Sequence, residues 1–220
     1  MTGGRWRPAA RAAGLLAAAV LMMTACTIGG PARMAPAVYD FGDRPPTPGG
    51  ERRIGATLTV PPVSSPPWLE STGIVYRLNF DDPKRLRAYS NSRWVAAPAL
   101  LLTEELRRCL AASAGQGVNG ADGAPADYVL RVELEDFQQS FDTPDSSRAV
   151  ARARATLVDG VSRNIVAQHT FSIEKNAAPN AAGAVSALAE SSIELIENLL
   201  DWAAQNLKNT RNLESERRDR

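Results

Sequence analysis

Histidine occurs once and cysteine twice in the 220 residues, which leaves little room for a Cys/His metal cluster, a disulfide framework or a histidine-based triad. Aromatic residues make up 6% and the formal net charge is +1, so no broad basic field exists to draw in nucleic acid. The motifs HExxH, GxSxG and CxxC are absent. The four-glycine stretch between Gly115 and Gly123 lacks the GxxxxGK[ST] order that cradles phosphate, which excludes a P-loop ATPase. Apolar residues are nonetheless 44% of the chain and charged residues 22%, the balance of a globular protein. The composition favours a body that binds over one that catalyses.

The longest uncharged apolar run is also short. Residues 12–25 are fourteen residues of Ala, Gly, Leu, Val, Met and a single Thr, preceded by Arg5, Arg7 and Arg11. A helix needs about 20 apolar residues to cross hydrocarbon. A basic start, a brief apolar run and small residues before a cleavage point read as a secretory signal over residues 1–25. With that segment removed, 22 bases face 24 acids and the net charge becomes −2. Met23-Thr24-Ala25-Cys26 resembles the lipobox of bacterial lipoproteins, although Met23 stands where Leu is favoured. The resemblance implies that Cys26 carries a covalent diacylglycerol and an N-acyl chain. Thr27, in place of an inner-membrane-retaining Asp, is compatible with sorting to the outer membrane. Residues 26–37, rich in Gly, Pro and Ala, read as the lipidated cysteine and a flexible tether. Residues 208–220 are densely charged without apolar period and read as a disordered tail.

Residues 38–207 between them read as one domain. Alternating apolar residues predict a strand over 54–60. A proline-rich loop with Trp68 follows, then a β-type run over 74–78 and a turn at Asp82-Pro83. Steps of three and four predict a helix over 97–112 that holds Cys109 among leucines as an inert thiol. Two alternating runs, from Tyr128 and from Ala149, are followed by a third whose inner row is Ile165, Ala167, His169, Phe171 and Ile173. That row makes His169 a core histidine. Glu133 and Glu135 share a strand face with Arg131, a solvated charge ladder and no acid–base pair. The alanines at 149, 151, 153 and 155 suit a helix packed closely over them. Asn180 can cap that last helix, which carries Trp202 near its end. The expected fold is α/β: a mixed, mostly antiparallel sheet covered by two main helices, in the order β-β-α-β-β-β-α.

Trp68 and Trp94 lie in irregular segments, where each either anchors a partner or folds back as a lid on the core. Around them, Tyr39-Asp40-Phe41-Gly42, Pro67-Trp68-Leu69, Ile74-Val75-Tyr76-Arg77, Leu86, Tyr89, Arg93-Trp94 and Pro98 resemble the ABC-type transport auxiliary lipoprotein family, PqiC-like proteins associated with MCE-domain lipid transport systems. The resemblance runs from Tyr39 to about Trp202. Val95-Ala96-Ala97-Pro98 departs from it where the family often has an acidic residue and a Pro-Pro pair. It implies a non-enzymatic docking lipoprotein at the periplasmic face of the outer membrane, with an MCE-domain protein and an ABC-type permease as partners and a homo-oligomer plausible. Partner contacts then fall to Trp68, Leu69, Tyr76, Arg77, Arg93 and Trp94, with no catalytic residue, metal or nucleic acid. A different reading of the same body is a periplasmic carrier that holds an acyl chain between helix and sheet, which requires a cavity of about 300 Å³ or more.

Overall fold

Three long antiparallel ladders account for most of the architecture. The computed structural model describes residues 35–42, 56–113 and 126–218. The expected signal segment, Cys26 and most of the expected tether lie outside the described residues, as do Ile54 and the glycine-rich stretch from Gly115. From Pro36 onward the chain forms one compact unit. The strands are β1 (Ala37–Tyr39), β2 (Leu58–Thr59), β3 (Gly73–Leu78), β4 (Asp82–Trp94), β5 (Tyr128–Thr143), β6 (Ser146–Asp159) and β7 (Ile165–Ala177). Two helices, α1 (Pro98–Ser113) and α2 (Ala181–Arg218), accompany them, with a short 3-10 turn at Pro67–Leu69. The sheet order is β1-β4-β3-β5-β6-β7, and β2 pairs with β5. β3 with β4, β5 with β6 and β6 with β7 are antiparallel; the pairs β1 with β4, β2 with β5 and β3 with β5 are parallel. This is the mixed α/β sheet with two helices that the sequence predicts.

The meander of β5, β6 and β7 follows directly from alternation. Leu130, Val132 and Leu134 face Leu157, Ala155 and Ala153 across the ladder, and all are buried. A bulge between Leu134 and Asp136 then shifts the inward row to Phe137 and Gln139. Ala149, Ala151, Ala153 and Ala155 are wholly buried, and α2 lies over β6 and β7. Small side chains let the helix backbone approach, so Leu188, Leu195 and Leu199 fill the layer without a gap for large residues below. Asn180 caps α2 as expected, its Oδ1 accepting the Gly183 N–H at 2.8 Å.

Three expectations fail here. β4, thirteen residues long, occupies the stretch read as a turn and irregular chain. Register shifts against β3 leave its inward residues Leu86, Tyr89 and Trp94 at spacings of three and five, which hides the period of two. The expected tail from Lys208 instead continues α2 to Arg218. Once a helix is nucleated, each further residue adds a hydrogen bond without the nucleation cost, and charged long side chains propagate it well. His169 is exposed, not core. It does face the side that α2 covers, opposite Ala155, but β7 is the edge strand, and the Trp202 ring of α2 lies 6.4 Å from it between ring centres.

Candidate partner-binding surface

The first described strand ends in a turn that the sequence specifies locally. Asp40 Oδ1 accepts the Gly42 N–H at 2.8 Å, and Gly42 sits at φ +81°, a conformation open chiefly to glycine. The turn drives the Phe41 ring inward to meet Trp94 edge-on at 5.5 Å and Phe137 at 5.8 Å. Val95 N–H donates to Tyr39 O at 2.7 Å and ties this turn to the end of β4. Two surface grooves flank it. One, of about 470 Å³, is lined by Val38, Tyr39, Val95, Val185 and Ala189. The other, of about 300 Å³, runs past Leu101, Glu104, Glu105 and Arg108 on α1. Val38 and Val95 are 50% and 58% exposed, so the first groove presents aliphatic surface to solvent.

The contact residues expected from the sequence are not gathered into one surface. Trp94 is 1% exposed and Leu69 2%, so both belong to the core and neither is free to grip a partner. Local irregularity around them is overridden by the value of burying large apolar groups, a few kcal/mol each. Trp68, in the 3-10 turn, is half-buried against the same core. Tyr76 and Arg77 point to opposite faces of β3, as successive strand residues must. Tyr76 packs against Tyr89 with the rings tilted, 4.7 Å between centres, and meets Phe141 at 5.9 Å. Arg77 donates to Gln138 Oε1 at 2.9 Å and to the carbonyls of Pro83 and Lys84 at 3.2 and 3.3 Å, a brace for the β3–β4 turn. Arg93 alone of the six is exposed. Cys26 lies outside the described residues.

Chemically the described surface is quiet. The Cys109 thiol is pushed up to about 11, first by burial and then by the neighbouring Glu105, so it is not a thiolate nucleophile at neutral pH. Among the described residues no group of three His, Cys, Asp or Glu side chains could hold a metal ion. On the uncovered sheet face Arg154 pairs with Glu133 and, at 3.3 Å, with Glu135, while Arg148 joins Asp142 and Glu174. Glu133 and Glu135 are thus solvated charges as expected, though their partner is Arg154, and pairs so exposed add little to stability.

Asp136 is the exception on that face. Burial raises its pKa, opposed by the Gln138 amide that donates to Oδ2 at 3.0 Å, and its buried Oδ1 has no hydrogen-bond partner. A carboxyl whose folded pKa is raised adds stability below its unfolded pKa, and that stability is lost as pH rises through the folded value. Asp136→Asn is therefore expected to stabilise at neutral pH, by less than about 1 kcal/mol because solvent still screens the group, with the gain vanishing below the carboxylate range. Urea melts at both pH values check this; a loss that persists in acid would assign Asp136 a role in packing instead.

The comparisons bear on the whole of this body. Residues 39–198 match the family model described as "ABC-type transport auxiliary lipoprotein component". A crystal structure from Xanthomonas campestris, of the DUF330 family, superposes with a TM-score of 0.69 at 18% identity, over 80% of this chain and 99% of that one. A second, the crystal structure of an uncharacterized protein, gives 0.56 at 17% identity, over 76% and 97%. These likenesses establish the fold. No curated protein matches the sequence. Because the family model spans most of the chain, from the Tyr39 turn into the first half of α2, this protein belongs to the ABC-type transport auxiliary lipoprotein component family.

Proposed function

We propose that the chain is a lipid-anchored, non-enzymatic docking component of an ABC-type, MCE-associated intermembrane lipid transport system, held by acyl groups on Cys26 at the periplasmic face of the outer membrane. The family match over residues 39–198 carries the reading. The chemically quiet surface supports it, as does the apolar groove beside the Asp40 turn, whose exposed Val95 suits protein contact. The partners are then an MCE-domain protein and an ABC-type permease, and several copies of the chain can assemble around them.

The carrier reading has no comparable support. Its acyl chain would lie between α2 and the sheet, where four alanines are wholly buried beneath leucines of the helix. The two grooves lie at the surface beside residues 40–42 and offer an acyl chain no enclosed volume of that kind.

Affinity capture from gently solubilised membranes of the native host tests the proposal. The tagged chain is expected to bring down an MCE-domain protein and permease subunits, and recovery of neither sinks it. Val95→Glu is expected to cut that recovery about tenfold, the cost of one buried charge at about 1.4 kcal/mol or more, with folding unaffected because Val95 is 58% exposed. Undiminished recovery would remove the groove from the proposal.

A further inference from the structure

We infer that the outer edge of β4 rests on an anionic membrane surface, an inference that builds on the lipid-anchor reading above. Between Arg77 and Arg93 the chain carries five cations and two carboxylates, a net of +3; the rest of residues 26–220 carries 17 bases against 22 acids. Positive charge is therefore concentrated on this hairpin in a body that is otherwise acidic. Arg87 is paired with Asp81, and Arg77 braces the turn. Lys84, Arg85 and Arg93 are exposed and make no ion pair among the described residues. The remaining acid, Asp82, is turned back onto the Lys84 N–H at 3.0 Å.

Apolar groups sit at both ends of this row of charge. Phe80, at the tip of the β3–β4 turn, is 48% exposed, and Val38, paired with Arg93 across the β1–β4 ladder, is 50% exposed. Exposed apolar groups set among unpaired cations match the boundary between headgroups and acyl chains.

Chain geometry selects the same edge. β1 is the first strand after the tether and covers β4 only at Ser92–Trp94, so residues 82–91 keep a free outer side among the described strands. Ten residues join Cys26 to Pro36, a reach of about 35 Å if fully extended and on the order of 20 Å if flexible. β4 from Asp82 to Ser92 spans about 33 Å at the usual strand rise. A lipid on Cys26 thus holds the β1–β4 edge nearer to the bilayer than the β7 edge across the sheet. Pairing with a strand of another chain is disfavoured on this edge, because Pro83 lacks a donor and the exposed Lys84 and Arg85 place charge on the edge strand.

The test places an environment-sensitive fluorophore at Phe80→Cys in the full acylated chain, with Cys109→Ser to leave one thiol. A second label at Val161→Cys serves as control, since Val161 is 90% exposed on the β6–β7 turn. In vesicles of phosphatidylcholine with phosphatidylglycerol, the label at 80 is expected to shift to the blue and be quenched by brominated lipid, while the label at 161 stays aqueous. Lys84→Glu with Arg85→Glu is expected to lower the docked fraction at least twentyfold, since each cation at such a surface contributes about fivefold. Salt at ~1 M, where screening shortens to about 3 Å, is expected to release the hairpin. If the chain floats with the vesicles but the label at 80 stays aqueous, this inference fails alone. If the chain floats with neither anionic nor neutral vesicles, the anchor reading fails and takes the inference with it. A label at 80 that becomes buried in detergent as protein concentration rises would assign the edge to a second copy and overturn the membrane.

Discussion

Trp94→Ala is expected to lower the free energy of unfolding by about 3–5 kcal/mol, the usual cost of emptying a buried tryptophan site. The indole is 1% exposed and packed between the rings of Phe41 and Phe137, 5.5 and 5.9 Å away. Its backbone N–H also donates to Thr72 O at 2.8 Å, so the residue is held where the end of β4 meets the loop before β3. Collapse into the space is hindered from all sides. Phe41 is fixed by the Asp40–Gly42 turn and Phe137 by the middle of β5, and neither can follow the missing ring without breaking hydrogen bonds. Total stability of such domains is about 5–15 kcal/mol, so the variant would lose a large share of it. Arg93→Ala, one residue away and exposed, should stay within about 0.5 kcal/mol of the parent. Urea denaturation of the pair provides the check, and a Trp94→Ala loss below about 1 kcal/mol would show that the ring is not a core element. The contrast matters for function, because reduced partner capture by a Trp94 variant would report unfolding, whereas a defect in a Val95 or Arg93 variant would report contact.

Cys26→Ser is expected to move the mature chain almost completely from the membrane pellet to the soluble fraction without changing its urea midpoint. The acyl groups proposed on that sulfur and on the new N-terminus each bury methylenes at about 0.8 kcal/mol apiece, and two or more chains give attachment that one cannot. Nothing else described supplies a comparable hold: among the described residues no helix is long and apolar enough to cross a membrane. The β4 edge adds only electrostatic contact, which salt removes. Fractionation of cells producing either form, followed by mass spectrometry of the N-terminal peptide, measures the effect. Unchanged sedimentation of Cys26→Ser, or an unacylated peptide from the parent, would dismiss the anchor.

How legible the molecule was in its sequence depended on the range over which each feature is decided. α1 was readable to within a residue at either end because its signal, leucines three and four apart after Pro98, is contained in the segment itself. The β5–β6–β7 meander was readable because each strand contains an alternating run, although β5 continues past its bulge to Thr143, beyond that run. β4 was not, since its inward residues are set by bulges whose positions depend on β3, its partner. Likewise Trp94 and Trp68 look alike as isolated aromatics near prolines or arginines. Only the location of Phe41 and Phe137 makes one of them fully buried and the other half-buried.

The candidate surface divides in the same way. Tyr39-Asp40-Phe41-Gly42 entered the sequence reading only through the family resemblance, although the turn it forms, an Asp side chain accepting a Gly N–H at positive φ, is decided locally. The grooves beside that turn need Val95, Val185 and the face of α1, which come from distant parts of the chain and carry no shared motif. The six expected contact residues were drawn from neighbouring positions, yet strand alternation sends Tyr76 and Arg77 to opposite faces, and the core takes Leu69 and Trp94.

By itself the sequence determined the fold class, the α1 span, the presence of the three-stranded meander, the family and the poverty of catalytic groups, because periodicity, composition and short motifs are properties of adjacent residues. The tertiary structure decided which aromatics are core, how far β4 and α2 extend, that His169 is exposed, and where unpaired charge and aliphatic surface accumulate. Those outcomes depend on which segments compete for the same buried volume, and that competition is settled only when residues far apart in the chain are brought together.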